Sequence, residues 1–285
     1  MHFETDLILE ATELWQNQPG DPGKLEGIVT HQRTELGLPV TEVEVLNQQG
    51  AQAVGKPVGR YLTIELERRA QQTMDSFQRG VEVLARELRN MLPQGNGGAL
   101  VVGLGNRNVT PDAVGPWTVD SVVVTRHLVQ RFPDAFGDFR PVSAVATGVL
   151  GTTGVESGEL VVALCERIQP TVVIAIDALA ARSPDRLCNT IQLANSGIVP
   201  GSGVGNARFA LNQETLGLPV LAVGVPTVIR ASVLAQERVS GLEDWIVTPK
   251  DIDASASELS RMIGFGVTKA LQEQLSVEEI RMMLG

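Results

Sequence analysis

The chain has 285 residues, 43% of them hydrophobic and 20% charged, enough for one large or two small globular units whose core needs no covalent staples. Its 23 basic against 33 acidic side chains leave a net charge of −10, which excludes a DNA-wrapping surface, and no apolar run approaches the roughly 18–20 residues of a membrane span. Two cysteines, Cys165 and Cys188, build no disulfide framework, and the acidic start Met1–Asp6 lacks the basic region of a secretion signal, so a cytoplasmic protein is expected.

Thr5 to Gln16 reads as a short amphipathic helix, broken by Pro19-Gly20-Asp21-Pro22-Gly23. Val43 and Val45 alternate with Glu42 and Glu44 as in a strand, Gln48-Gln49-Gly50 reads as its turn, and Tyr61–Ile64 as the returning strand. A helix is expected from about Glu65 to Leu92, stopped by Pro93-Gln94-Gly95. Ala99-Leu100-Val101-Val102 is a continuous apolar run entering Gly103-Leu104-Gly105-Asn106, the pattern of a buried parallel strand that ends in a tight loop. A helix follows within Pro116–Phe132, a second buried strand over Val142–Ala146, and a helix over Ser157–Ile168. Thr171–Ile176 is the clearest strand, with Asp177 at its carboxyl end. Strands at Leu187–Leu193 and Pro219–Val223 follow, the latter turning at Gly224-Val225-Pro226-Thr227, and Ser276-Val277-Glu278-Glu279 is a capping box for the last helix.

Strands alternating with helices imply βαβ units and an α/β fold of the phosphorylase/hydrolase-like kind, with a mainly parallel twisted sheet and helices on both faces. One domain is expected over 1–285, with 41–65 as an edge or small β-rich addition and 240–285 as a helical C-terminal part.

Open α/β sheets place ligands at the carboxyl ends of their strands. Asp177 closes one such strand, and Asp112 lies in the loop after the Ala99–Val102 strand. A carboxylate inside Ile174–Ala181 is costly to bury unless it is paired or functional. The competing reading of each aspartate is a helix N-cap. Two carboxylates facing one crevice can act as a general acid and base. Gly103-Leu104-Gly105-Asn106 lacks the third glycine of a dinucleotide loop, and Gly201-Ser202-Gly203-Val204-Gly205-Asn206 lacks the lysine of a P-loop. Their backbone amides are candidates to hold a substrate chain, through Gly103, Gly105, Asn106, Gly201, Ser202, Gly203 and Asn206. The three histidines, His2, His31 and His127, lie away from these strand ends, which argues against a serine triad and against a His/Cys metal centre. No cofactor or metal is expected.

Several blocks in a fixed order carry a resemblance. They include Thr5-Asp6-Leu7, Gly55-Lys56-Pro57-Val58-Gly59, Gly103-Leu104-Gly105-Asn106 with Val109-Thr110-Pro111-Asp112-Ala113, and Gly151-Thr152-Thr153-Gly154-Val155-Glu156. Ile176-Asp177-Ala178-Leu179-Ala180-Ala181-Arg182, Thr190-Ile191-Gln192, Gly197-Ile198 with Pro200-Gly201-Ser202-Gly203-Val204-Gly205-Asn206, Gly224-Val225-Pro226-Thr227-Val228 and Val247-Thr248-Pro249-Lys250 complete the set. The chain resembles the germination proteases of spore-forming bacteria, which are related to the hydrogenase maturation proteases. The resemblance implies an aspartate-dependent endopeptidase that degrades small acid-soluble spore proteins, with Asp112 and Asp177 as its catalytic carboxylates. It also implies a homotetramer, made as a zymogen and working in the cytoplasm of the spore core, with no direct nucleic-acid or membrane partner. Four residues precede Thr5-Asp6, so at most a small N-terminal trim is expected. Asn195-Ser196 stands where the family pattern has Asp-Thr, and Arg230 where it has Asp. The alternatives are a hydrogenase-maturation-type protease, disfavoured by the lack of a histidine near residues 195–206, and a non-catalytic binding module on the same fold.

Overall fold

The computed structural model describes residues 5–17, 26–67, 73–201, 209–235, 242 and 245–285. From the N-terminal side come α1 (Ile8–Gln16), β1 (Ile28–Glu35), β2 (Leu38–Val45), α2 (Gln48–Val54), β3 (Gly59–Glu65) and α3 (Met74–Met91). The middle of the chain forms β4 (Ala99–Leu104), α4 (Val114–Val119), α5 (Arg126–Arg131), α6 (Pro133–Phe136), β5 (Val142–Gly148), α7 (Leu150–Thr153), α8 (Ser157–Ile168), β6 (Val172–Ala181) and β7 (Thr190–Ala194). The last part forms α9 (Gln213–Leu216), β8 (Val220–Arg230), α10 (Ala231–Leu234), β9 (Ile246–Val247), α11 (Ile252–Leu271) and α12 (Val277–Leu284).

The strands join in one sheet with the order β1-β2-β3-β7-β8-β6-β4-β5, and β9 pairs with the far end of β8. β5, β4, β6 and β8 run parallel. β8, β7, β3, β2 and β1 alternate in direction. The fold is α/β as expected, and the sheet is mixed: the parallel pattern holds for one half, and the segment read as a β-rich addition is continuous with the other half through β3 and β7.

Side chains alternate across the parallel strands, so each strand needs cover on both faces. On one face Val101, Ile174 and Val223 pack with Leu84 and Leu88 of α3 and Ile263 of α11. On the other face Leu100, Val102, Val173 and Ala175 pack with Val161 and Cys165 of α8. A fully buried side chain of this size contributes roughly 1.5–3 kcal/mol, so these two layers carry the stability of this half.

Several local expectations change. The helix expected from Glu65 begins at Met74, because Thr73 accepts from the Ser76 amide at 3.2 Å and Ser76 answers to the Thr73 N–H. The helix expected within Pro116–Phe132 is divided into α4 and α5. Gln48–Gly50 starts helix α2 rather than a turn, capped by Asn47 Oδ1 accepting from the Gly50 N–H at 3.0 Å. Gly224–Thr227 continues β8 instead of turning. Pro226 stands opposite Leu179, the ladder then slips so that Thr227 is passed over, and the Pro226 carbonyl accepts from the Cys188 N–H at 2.8 Å. No helix among the described residues is long and apolar enough to cross a membrane.

Candidate active site

The order β5-β4-β6-β8 sends the chain from β4 outward to β5 and then back across β4 to β6. Connections therefore diverge between β4 and β6, which is where open α/β sheets form a ligand crevice. The last β4–β6 pair is Gly103 with Ile176. β6 runs on to Ala181, still paired with β8, so Asp177 stands at the first position that β4 no longer covers. Asp177 lies inside a strand, not at its end, and it caps no helix. It is buried, and its Oδ1 accepts from the Ala178 N–H at 2.9 Å.

Asp112 ends a short 3₁₀ turn, Thr110–Asp112, in the loop after β4. It is no N-cap either: α4 follows Ala113 without a side-chain cap. Its Oδ2 accepts from the Asn106 N–H at 2.7 Å, and its own N–H donates to the Val109 carbonyl at 2.8 Å. The Thr227 hydroxyl donates to the Pro111 carbonyl at 2.7 Å and ties this loop to β8. Two glycines allow the close approach. Gly105 has φ +107°, and a Cβ there would meet the Asp112 carbonyl oxygen at 2.1 Å. A Cβ on Gly115 would meet the Leu104 and Ile176 carbonyl oxygens at 2.2 and 2.5 Å.

Asp112 and Asp177 line one cleft of about 270 Å³, together with Gly105, Gly201, Thr227 and Asp6. Val109, Val149, Val199 and Ile246 add an apolar part to its lining. Asn106 serves through its amide, as the donor to Asp112. Gly103 belongs elsewhere: it is buried, and a Cβ there would meet the Gly115 carbonyl oxygen at 2.3 Å, so it is a packing glycine that lets α4 lie on β4. Ser202, Gly203 and Asn206 lie outside the described residues. Among the described residues no group of three or more His, Cys, Asp or Glu side chains is arranged to hold a metal ion. His31 and His127 are exposed, and Cys165 is buried in the core, where burial pushes its thiol pKa up.

A second cavity, about 190 Å³, adjoins the first and shares Asp6, Leu179 and Val199 with it. Lys56, Tyr61, Gln192, Ser196 and Asn212 also line it. The two departures from the family pattern at 195–196 have partners here. Asn195 Oδ1 accepts from the Arg60 N–H at 2.8 Å, and the Ser196 hydroxyl donates to Tyr61 Oη at 3.0 Å. Arg230 is the last residue of β8 and pairs with Ile246 of β9. The roles of Asp6, Lys56, Gln192 and Thr227 are not legible from spacing. All four do stand in blocks that carry the resemblance, Thr5-Asp6-Leu7, Gly55-Lys56-Pro57, Thr190-Ile191-Gln192 and Gly224-Val225-Pro226-Thr227-Val228.

Comparison with known proteins gives one consistent answer. The family model for germination protease matches residues 8–243. The chain is 40% identical to a germination protease of Clostridium perfringens over 327 aligned positions, covering 100% of this chain and 99% of that one. It is 39% identical to the germination protease of Caldanaerobacter subterraneus, with 99% and 98% covered, and 44% identical to that of Bacillus cytotoxicus, with 95% and 75% covered. Among solved structures, a nickel–iron hydrogenase maturation protease from Thermococcus kodakarensis matches at a TM-score of 0.35 and 16% identity, over 62% of this chain and 98% of that one. With its family model spanning most of the sequence and relatives aligned end to end, the chain belongs to the germination protease family.

Proposed function

We propose that the protein is an aspartate-dependent endopeptidase that cleaves small acid-soluble spore proteins during germination. The observation that carries this reading is the placement of Asp112 and Asp177 in one cleft at the switch point of the sheet, reached from two different elements. In the mechanism, one aspartate as carboxylate takes a proton from water as the water oxygen attacks the scissile carbonyl carbon. The other, in its protonated form, polarises the carbonyl oxygen and later gives a proton to the leaving amine. The backbone amides of Gly105 and Gly201, which line the cleft, are the candidate donors to the developing oxyanion. No step of this mechanism is routed through a metal ion, and the carboxylates of Asp6, Asp112 and Asp177 line the same cleft. Assembly as a homotetramer, zymogen synthesis and residence in the spore core belong to the same reading.

The test is digestion of a purified small acid-soluble spore protein by the wild type and by Asp177→Asn, each with and without exhaustive chelation. Cleavage by the wild type, indifferent to chelator and lost in the variant, is expected. A folded Asp177→Asn protein that cleaves at a near-normal rate removes the mechanism, and activity abolished by chelator and restored by one divalent ion makes Asp112 and Asp177 ligands instead.

A further inference from the structure

The two aspartates of the cleft are held in different ways. Asp177 lies within β6, opposite Gly224 of β8, with paired residues on either side of it. Asp112 stands outside the sheet, at the end of the Thr110–Asp112 turn. That turn closes on itself: the Asp112 N–H donates to the Val109 carbonyl at 2.8 Å, and the Ala113 N–H to the Thr110 carbonyl at 3.1 Å. The Asn106 N–H, which donates to Asp112 Oδ2 at 2.7 Å, comes from the same loop. These bonds shape the loop; its place against the rest of the molecule is set by contacts from other elements. After Asp112 the Ser260 hydroxyl of α11 donates to the Val114 carbonyl at 3.2 Å. Before Asp112 the contact comes from β8.

It comes from the one irregular point of the β6–β8 ladder. Leu179 pairs with Pro226 and Ala180 with Val228, so Thr227 is left over as the extra residue of a bulge. A bulge bends its strand and re-aims the side chain it carries. Here the Thr227 hydroxyl donates to the Pro111 carbonyl at 2.7 Å, the peptide group that leads into Asp112. Thr227 is buried, it lines the cleft, and β-branching restricts its χ1, so the hydroxyl is held on that line. The Thr227 carbonyl in turn accepts from the Thr248 hydroxyl at 2.9 Å. Thr248 directly follows β9, whose Val247 pairs with Ile229 of β8. Two hydroxyls thus run in line from the end of β9, through the bulge of β8, to the residue before Asp112.

We propose that Thr227 is a positioning residue for Asp112 and that Thr248 steadies it from β9: through the Pro111 peptide, the two hydroxyls set where the Asp112 carboxyl stands relative to Asp177. Neither threonine transfers a proton. The effect on turnover rests on the peptidase reading; the tether to the Asp112 loop does not. Acid–base chemistry loses rate steeply with misplacement, about a hundredfold for ~1 Å, whereas substrate affinity is spread over the rest of the cleft and responds little.

The test compares the full-length wild type with Thr227→Val, Thr227→Ser and Thr248→Val. Cleavage of a purified small acid-soluble spore protein gives kcat and KM separately, and mass spectrometry follows hydrogen exchange in residues 105–113. Thr227→Val keeps the shape of the side chain and removes the donor. Its kcat is expected to fall about tenfold or more, its KM to stay within about twofold, and the 105–113 segment to exchange about tenfold faster. Thr227→Ser is expected to recover most of both, and Thr248→Val to show the same pattern at about threefold. A Thr227→Val protein with the wild-type kcat, a loss confined to KM, or a serine variant as slow as the valine one overturns the positioning role. Unchanged exchange in Thr227→Val overturns the tether whatever the activity. A wild type that does not cleave, with a segment that loosens in the valine variant and tightens again in the serine one, removes the peptidase reading and keeps the tether. If Thr227→Val fails to fold, Thr248→Val decides: a lower kcat at constant KM together with faster exchange supports the line of hydroxyls, and any other pattern overturns it.

Discussion

The two halves of the sheet are built on different physics. β4 is buried along its whole length and β6 and β8 nearly so, enclosed by helices on both faces. β1, at the opposite edge, leaves half of its eight residues exposed. The antiparallel half is held in part by charge: Arg33 lies 3.2 Å from Glu42 and 2.6 Å from Glu87 of α3, and Glu42 also pairs with Arg60. The difference teaches how the site is shared. The helix-covered half carries Asp112, at the end of the 3₁₀ turn after β4, and Asp177, inside β6. The antiparallel half and its α2 turn supply Lys56, Tyr61 and Gln192 to the second cavity at the seam. The two cavities meet at Asp6, Leu179 and Val199.

This division is broken most severely in the parallel half. Asp112→Asn and Asp177→Asn are each expected to lower kcat by about a thousandfold or more with the fold intact, and the double variant to be little worse than either single one, because groups that act as a unit are not additive. Turnover measurements on the three proteins check it, and an additive double variant would separate the two carboxylates into independent roles.

Next in size is the backbone packing under the site. Gly115→Ala forces a methyl against the Leu104 and Ile176 carbonyl oxygens and is expected to cost about 2 kcal/mol or more, the upper part of the overpacking range. Gly151→Ala, in the single turn α7 with nothing within 4 Å of an added Cβ, is expected to stay within about 0.5 kcal/mol. Urea unfolding of both proteins measures the contrast.

The antiparallel half should respond to acid instead. The Arg60 hydrogen bond and then the charges of Arg60 and Arg33 hold the Glu42 carboxyl below its ordinary value of 4.5, against the opposing effect of burial. A carboxylate depressed in the folded state contributes stability that is complete above its unfolded pKa and lost as pH falls through the folded one. Glu42→Gln is therefore expected to lower stability at neutral pH and to flatten the decline below about pH 4.5. Thermal melts across that range check it, and a variant with the wild-type acid slope would move the acid sensitivity elsewhere.

The smallest effect sharpens the seam. Tyr61 is the one tyrosine of the sequence, so its ionisation reads without interference. Burial pushes its phenol pKa up to about 12, with the Ser196 hydroxyl acting against that. The sign is the reverse of Glu42: this contribution is present below the usual pKa of 10.0 and is lost as pH rises toward 12. Tyrosinate absorbance is expected to titrate near 12 in the folded protein and near 10 after unfolding in denaturant. A midpoint near 10 in the folded state would mean an open, hydrated second cavity.

Legibility in the sequence followed the same division. Thr171–Ile176 and Ala99–Val102 are apolar runs of four to six residues, so the buried parallel strands announced themselves, and α8 was readable from Ser157 to Ile168. β1 did not. Its residues Thr30, His31, Gln32 and Arg33 carry too little apolar alternation, and its hairpin turns on Leu36 and Gly37, both with positive φ, without an Asn-Gly or Asp-Gly signal. The continuation of β6 beyond Asp177 and of β8 through Pro226 was likewise hidden, because each depends on a partner strand distant in sequence.

By itself the sequence determined the α/β class and marked Asp112 and Asp177 as the two carboxylates worth following, because buried strands and carboxylates at strand ends are local patterns. The tertiary structure alone decided that the sheet is mixed, that Gln192 of β7 faces Thr63 of β3, and that Thr5–Ile8 lies along the open edge of β6. Those contacts join residues more than a hundred positions apart. Hydrophobic periodicity tells a segment which face to bury, but not which distant partner will cover it, so Lys56 and Asp6 come to line one cavity only when β3, β7, β8 and β6 are brought side by side.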